Sequence, residues 1–170
     1  MITLQKLNSW AEWPPLTPAP KVQIEPNGAL LYHPADACWV AIDGRSALAR
    51  CSLWFESAGR LDGFRRPGAI GHFASADATA SEALLQRAVE QLRGAGCDAA
   101  VGPLDQNTWH RYRFITERGS EPVFTMEPDN DDAWPGHFRS AGFQTLATYC
   151  SYLVEDLTCE SKKLVHVAER

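Results

Sequence analysis

The chain has 170 residues and a mass of 18.8 kDa, with 45% hydrophobic and 22% charged residues. That suffices for one ordinary domain with its own core and excludes a wholly disordered chain. Sixteen basic against 21 acidic residues leave a net charge of −5, which argues against a broad nucleic-acid-binding surface.

The opening run MITLQKLNSWAEWPPL has neither a basic leader nor a continuous apolar stretch, and no run of 18 apolar residues occurs anywhere. The expectation is a cytoplasmic protein with no membrane partner. Residues 1–36 read as an N-terminal arm and hairpin packed on the domain. Pro14, Pro15, Pro18 and Pro20 break any helix there, and Trp10, Trp13 and Leu16 are its anchors. Residues 21–33 carry alternating Val22 and Ile24 and the turn Pro26-Asn27-Gly28, which predicts a hairpin.

A second hairpin follows: strand ACWVAID, turn Asp43-Gly44, strand SALARCSLWFE. After the basic loop 59–67, GAIGHFAS reads as a buried strand whose glycines imply close approach of something to its backbone. A helix is predicted over about 79–93, with Thr79 and Glu82 as a capping box. Its apolar face is Leu84, Leu85, Ala88, Val89 and Leu92, and its stops are Gly94 and Gly96. CDAAVGP is a short strand; a helix between two apolar strands predicts a crossover and parallel pairing. Residues 106–118 fit either a short helix or a strand. Trp134, Phe138 and Ala141 recur at helical spacing before Gly142, and 143–156 read as a long β-rich run. Residues 157–170 are a C-terminal extension. The odd set of five cysteines, without any C-x-x-C, predicts reduced thiols, with Cys38, Cys51, Cys97 and Cys150 buried, and no metal site.

The fold class is therefore α/β, a curved mixed central sheet flanked by helices. The strand GAIGHF, the helix SEALLQRAVEQLRGAG, the strand CDAAVGP and the segment WPGHFRSAGF occur in an order that resembles the GCN5-related N-acetyltransferase family, with its acyl-CoA N-acyltransferase-like fold. GPLDQNTWHRYR and PVFTMEPDNDDAWPGHFRSAGF resemble a narrower group of acetyltransferase-like domains. The likeness covers about residues 38–155, within an expected core of 37–156.

The resemblance implies acetyl-CoA as cofactor, direct acetyl transfer to a small-molecule or peptide amine, and a site where two parallel strands splay apart. Strand residues Gly71, Phe73 and Ser75 would line the pantetheine arm. Thr79 and Ser81, at the helix start, would meet the pyrophosphate, as helix amides suit anions. This sequence departs from the family's Gln/Arg-x-x-Gly-x-Gly/Ala signature, whose positions fall on Ala76, Thr79 and Ser81. The tyrosine that protonates the leaving thiolate falls on Phe138, which has no proton to give.

His110 and Glu127 are the candidate catalytic bases. Against these stand structural readings: His110 packed between aromatics and Glu127 fastening its loop. Arg111 and Arg113 either pair with Glu121, Glu127 or Asp129 or bind an anionic substrate or the CoA phosphates. His137 reads as a surface or capping histidine, and Tyr149 and Tyr152 as alternative proton donors. Asp129, Asp131 and Asp132 lack an EF-hand spacing. The rival function is a non-catalytic binding or assembly module with a degenerate cofactor site. A homodimer is the expected assembly, because an exposed sheet edge is easily covered by a copy.

Overall fold

The computed structural model describes residues 1–20, 22, 34–56, 59–123, 127 and 129–151. The chain order is β1 (Ile2–Leu7), a 3₁₀ turn (Trp10–Glu12), β2 (Thr17–Pro18), β3 (Ala37–Asp43), β4 (Ser46–Trp54), β5 (Pro67–Ser75), α1 (Ala78–Gly94), β6 (Ala99–Val101) and α2 (Trp134–Ser140). The strands form one sheet in the order β1-β3-β4-β5-β6, with β2 pairing in parallel with the first residues of β4.

The β3–β4 hairpin forms where Asp43-Gly44 predicts it, with Gly44 at φ +59. β4 and β5 pair antiparallel, and α1 then crosses over so that β6 runs parallel to β5, as the alternation of strand and helix predicts. The parallel ladder is short, from Pro67↔Ala99 to Ala69↔Val101. Beyond it β5 continues to Ser75 without β6 beside it.

Two layers cover the sheet. On one face Trp39, Ala49, Leu53 and Ile70 pack against Leu84, Leu85 and Leu92 of α1 and Phe138 of α2. On the other, Cys38, Val40 and Ile42 are covered by Leu7, Trp10 and Val22. A bulge in β5 serves both faces. His72 adopts φ +48, and the β4–β5 register shifts there, so that Ile70 and Phe73 both join the α1 core.

Five expectations are corrected by the fold. Residues 2–7 are an edge strand on β3 rather than part of an arm; Ile2 and Leu4 share the α1 face of the pleat and Leu7 turns to the other. The helix starts at Ala78 with Asp77 as its N-cap; Asp77 reaches Ala80 N at 2.7 Å, which leaves Thr79 exposed inside the first turn and no Thr79–Glu82 box. Residues 143–151 carry no strand. Cys150 is exposed rather than buried, since it lies in that unpaired run, and Cys97 is only partly buried. The sheet is mixed but not strongly curled; loop and arm residues fill its second face, so burial does not require the sheet to wrap. The expected hairpin at 21–33, apart from Val22, the end of the β-rich run at 152–156, Tyr152, Cys159 and the 157–170 extension lie outside the described residues. No helix among the described residues is long and apolar enough to cross a membrane.

Candidate functional site

The splay that the resemblance implies is not seen: the β5–β6 ladder ends at Val101, and the chain that follows β6 stays against β5. Leu104 N donates to Ile70 O at 2.9 Å, so the 104–105 segment takes the ladder position that β6 has left. His72 N donates to the Asp105 carboxylate. Gly71 permits this contact, for a Cβ there would lie 2.7 Å from Asp105 Cα. The close approach expected from the strand glycines is made by this chain itself, by Leu104 and Asp105 at Gly71 and by the Leu92 and Cys97 side chains at Gly68.

The α1 side of this contact is packed with aromatic rings. Phe73 stands edge-on to Trp134 at 5.6 Å and Phe138 at 5.0 Å, and Phe114 closes the set at 5.1 Å from Phe138. Phe73, Trp134 and Phe138 are all buried. The cavity that remains between Phe73, Pro103, Asp105 and Arg113 measures about 10 Å³, room for about one water, whereas small-molecule pockets typically hold roughly 300 Å³ or more.

The start of α1 is occupied as well. The Asp77 carboxylate caps Ala80 N. Asp77 N donates to Ser75 Oγ at 3.1 Å. The Ser81 hydroxyl lies 2.6 Å from Ser75 Oγ, 2.9 Å from Asp77 O and 2.8 Å from His137 Nδ1. Trp134 Nε1 donates to Ser75 O at 2.8 Å. Ser75 and Ser81 are buried in this network. An incoming diphosphate would meet a carboxylate on the amide it needs, and like charges repel there. The residues present do not fit the pyrophosphate of CoA.

A shallow groove of about 270 Å³ runs outside this network, walled by Pro20, Ser75, Ala76, Asp131, Ala133 and His137. Its wall carries a carboxylate and no lysine or arginine.

Both candidate bases make contacts within the loop. His110 Nδ1 donates to Asp105 O at 3.0 Å, which fastens the plug segment to the following loop. Glu127 is ion-paired with Arg113. Hydrogen bonding to Glu127 raises the Arg113 guanidinium's pKa, and the same cation lies 4.9 Å from the Tyr112 ring and 5.6 Å from that of Tyr149. Arg118 bridges Asp129 and Asp132, so these acids also hold the loop together. No cluster able to hold a metal ion is present among the described residues.

Under the arm lies a buried polar network that the sequence reading missed. Trp10 Nε1 donates to Ser52 Oγ at 2.7 Å, and Ser52 Oγ lies 2.9 Å from His72 Nδ1. Arg50 donates to Val22 O at 2.9 Å and to His72 O. Burial lowers the Arg50 guanidinium to about 10, still charged at neutral pH. Burial also raises Asp105, against the opposing pull of the His72 amide, Arg111, Arg50 and His110. Burial lifts the Cys38 thiol to about 11, and Cys51 is raised further, so neither is a nucleophile at neutral pH.

No protein-family model and no curated protein matches the chain. Two solved structures match its backbone. One is a point mutant of TTHA1254 from Thermus thermophilus, at TM-score 0.42 and 12% identity, covering 70% of this chain and 71% of that one. The other, from Agrobacterium tumefaciens str. C58, is designated an acetyltransferase; it gives TM-score 0.40 and 16% identity over 69% of this chain and 68% of its own. The likeness concerns the arrangement of elements alone.

Proposed function

We propose that the chain is a divergent GCN5-related N-acetyltransferase-like domain that works as a non-catalytic binding or assembly module. One observation carries this reading: past β6 the chain stays against β5 through Leu104 and Asp105, and the Phe73 ring cluster packs beside them, which leaves no gap for an acyl-CoA arm. An acyl-CoA arm would have to displace both backbone and core. The capped helix start and the engagement of His110 and Glu127 in loop contacts agree with it.

A second reading keeps acetyl-CoA-dependent N-acetyl transfer to a small-molecule or peptide amine. The groove beside Ser75 and Ala76 favours it, because it offers an entry next to the helix start and a wall with the His137 imidazole. In that reading His137, positioned by Ser81, replaces His110 and Glu127 as the group able to take a proton.

Isothermal titration of the whole chain with acetyl-CoA and with CoA separates the two. The module reading expects no heat of binding and no thermal stabilisation at millimolar ligand. Saturable binding with a matching rise in Tm would overturn it in favour of the enzyme.

A further inference from the structure

Residues 105–111 form a closed loop at the surface. Asp105 N donates to Arg111 O at 2.7 Å, Asn107 N to Asp105 O at 2.8 Å, and Trp109 N to Asn107 Oδ1 at 3.0 Å. Gln106 sits at φ +69, a left-handed conformation that a non-glycine residue holds only where its surroundings fix it. The polar groups of the loop are thus engaged in fixing its own shape. Its largest side chain is not. Trp109 is 92% exposed, whereas Trp10, Trp39, Trp54 and Trp134 are all buried.

The charge of this stretch is opposite to that of the chain. Residues 106–116 contain two arginines and no aspartate or glutamate, in a chain of net charge −5. Arg113 is taken by Glu127, and the Asp105 carboxylate turns inward to the His72 amide. Arg111, two positions from Trp109, is exposed and makes no ion pair among the described residues. The next residue, Tyr112, meets Tyr149 edge-on at 5.9 Å, and Tyr149 is 62% exposed. Tryptophan, tyrosine and arginine on a backbone that need not reorganise are the groups that carry most of the energy at protein interfaces.

We infer that the Trp109 loop docks an acidic segment of a partner protein, with Trp109 taking an apolar side chain of that segment and Arg111 the carboxylate beside it. Charge selects the occupant. Arg111 matches an anion, but a nucleic acid or an anionic lipid surface needs many cations, and the net charge of −5 opposes both. An acidic peptide segment needs only the local match that Trp109 and Arg111 give. The inference rests on the module reading. Titration with acetyl-CoA tests that reading and the Trp109 variants test this surface, so the two fail separately.

The test uses the full chain and a fluorescent peptide of alternating glutamate and leucine, with alternating glutamate and serine as the control. Fluorescence anisotropy is expected to show saturable binding of the first peptide and binding of the second weaker by about tenfold or more. Trp109→Ala and Arg111→Glu are each expected to weaken the first on the order of tenfold or more, with Tm unchanged because both side chains are exposed. Iodide is expected to quench the emission that Trp109→Phe removes more strongly than caesium does, and the bound peptide to protect it. No saturable binding, or binding that tolerates either variant, overturns the inference. So does stronger quenching by caesium, which would place a negative field at Trp109. Trp109-dependent binding to anionic vesicles or Trp109-dependent self-association, in place of peptide binding, overturns it in favour of a membrane surface or a second copy.

Discussion

Asp105 is a carboxylate in the wrong solvent. Burial raises its pKa, and the His72 amide, Arg111, Arg50 and His110 recover only part of that cost. The sign follows from linkage. A carboxyl group whose folded pKa lies above its unfolded value favours the fold below the unfolded pKa, and that contribution is lost as pH rises through the folded one. Asp105→Asn keeps an oxygen for the His72 amide and removes the charge. Its Tm relative to the parent is therefore expected to improve from about pH 3.5 to pH 7; thermal melts at both values check this, and a relative Tm that falls with pH would refute it. Half of this contact is legible in the sequence. Gly71 announces that something lies close, but its partner is 34 positions further on, and no local pattern names it. The Ser81–His137 pair is hidden for the same reason, since 56 positions separate two side chains that meet only when α2 docks on α1.

At the scale of elements, α1 was legible because its apolar spacing is strict, and only its first turn was misread. Thr79 and Glu82 have the right spacing for a capping box, yet Asp77 caps better where Ser75 can take its amide. Asp77→Ala is expected to cost about 0.5–2 kcal/mol, measured by urea unfolding. Its effect on CoA titration is informative too, because freeing that amide and removing the charge are the smallest changes that favour an anion. β5 and β6 were legible from their apolar runs, and their parallel pairing from the helix between them. Residues 143–151 misled because β propensity reports a fit to a pleated surface, which a lone chain does not always supply. The 106–118 segment was ambiguous for a related reason. It is held by turn bonds such as Asp105 N to Arg111 O and by single side chains, such as Asn130 Oδ1 accepting from Ile115 N at 2.7 Å, rather than by a ladder.

The whole molecule depends on its N-terminal residues more than their composition suggests. β1 closes one edge of the sheet, and Trp10 seals the face opposite α1 while donating to Ser52. Trp10→Ala is expected to destabilise the domain by about 3–5 kcal/mol, by loss of apolar burial and exposure of the Arg50–His72–Ser52 network. Denaturant unfolding followed by far-ultraviolet dichroism measures it, and a change under about 1 kcal/mol would show that the arm is dispensable. The prolines marked this stretch as irregular and the tryptophans marked it as packed, and both signals were sound. What composition could not convey is that the same stretch begins with a strand.

A blockage made of main chain differs in kind from one made of side chains. Where a bulky ring obstructs a passage, trimming one residue clears it. Leu104 obstructs with its own peptide group and Asp105 with its backbone as well as its carboxylate, wedged against a glycine that already has nothing left to trim. Reopening such a passage calls for rerouting a whole turn, a change several mutations deep.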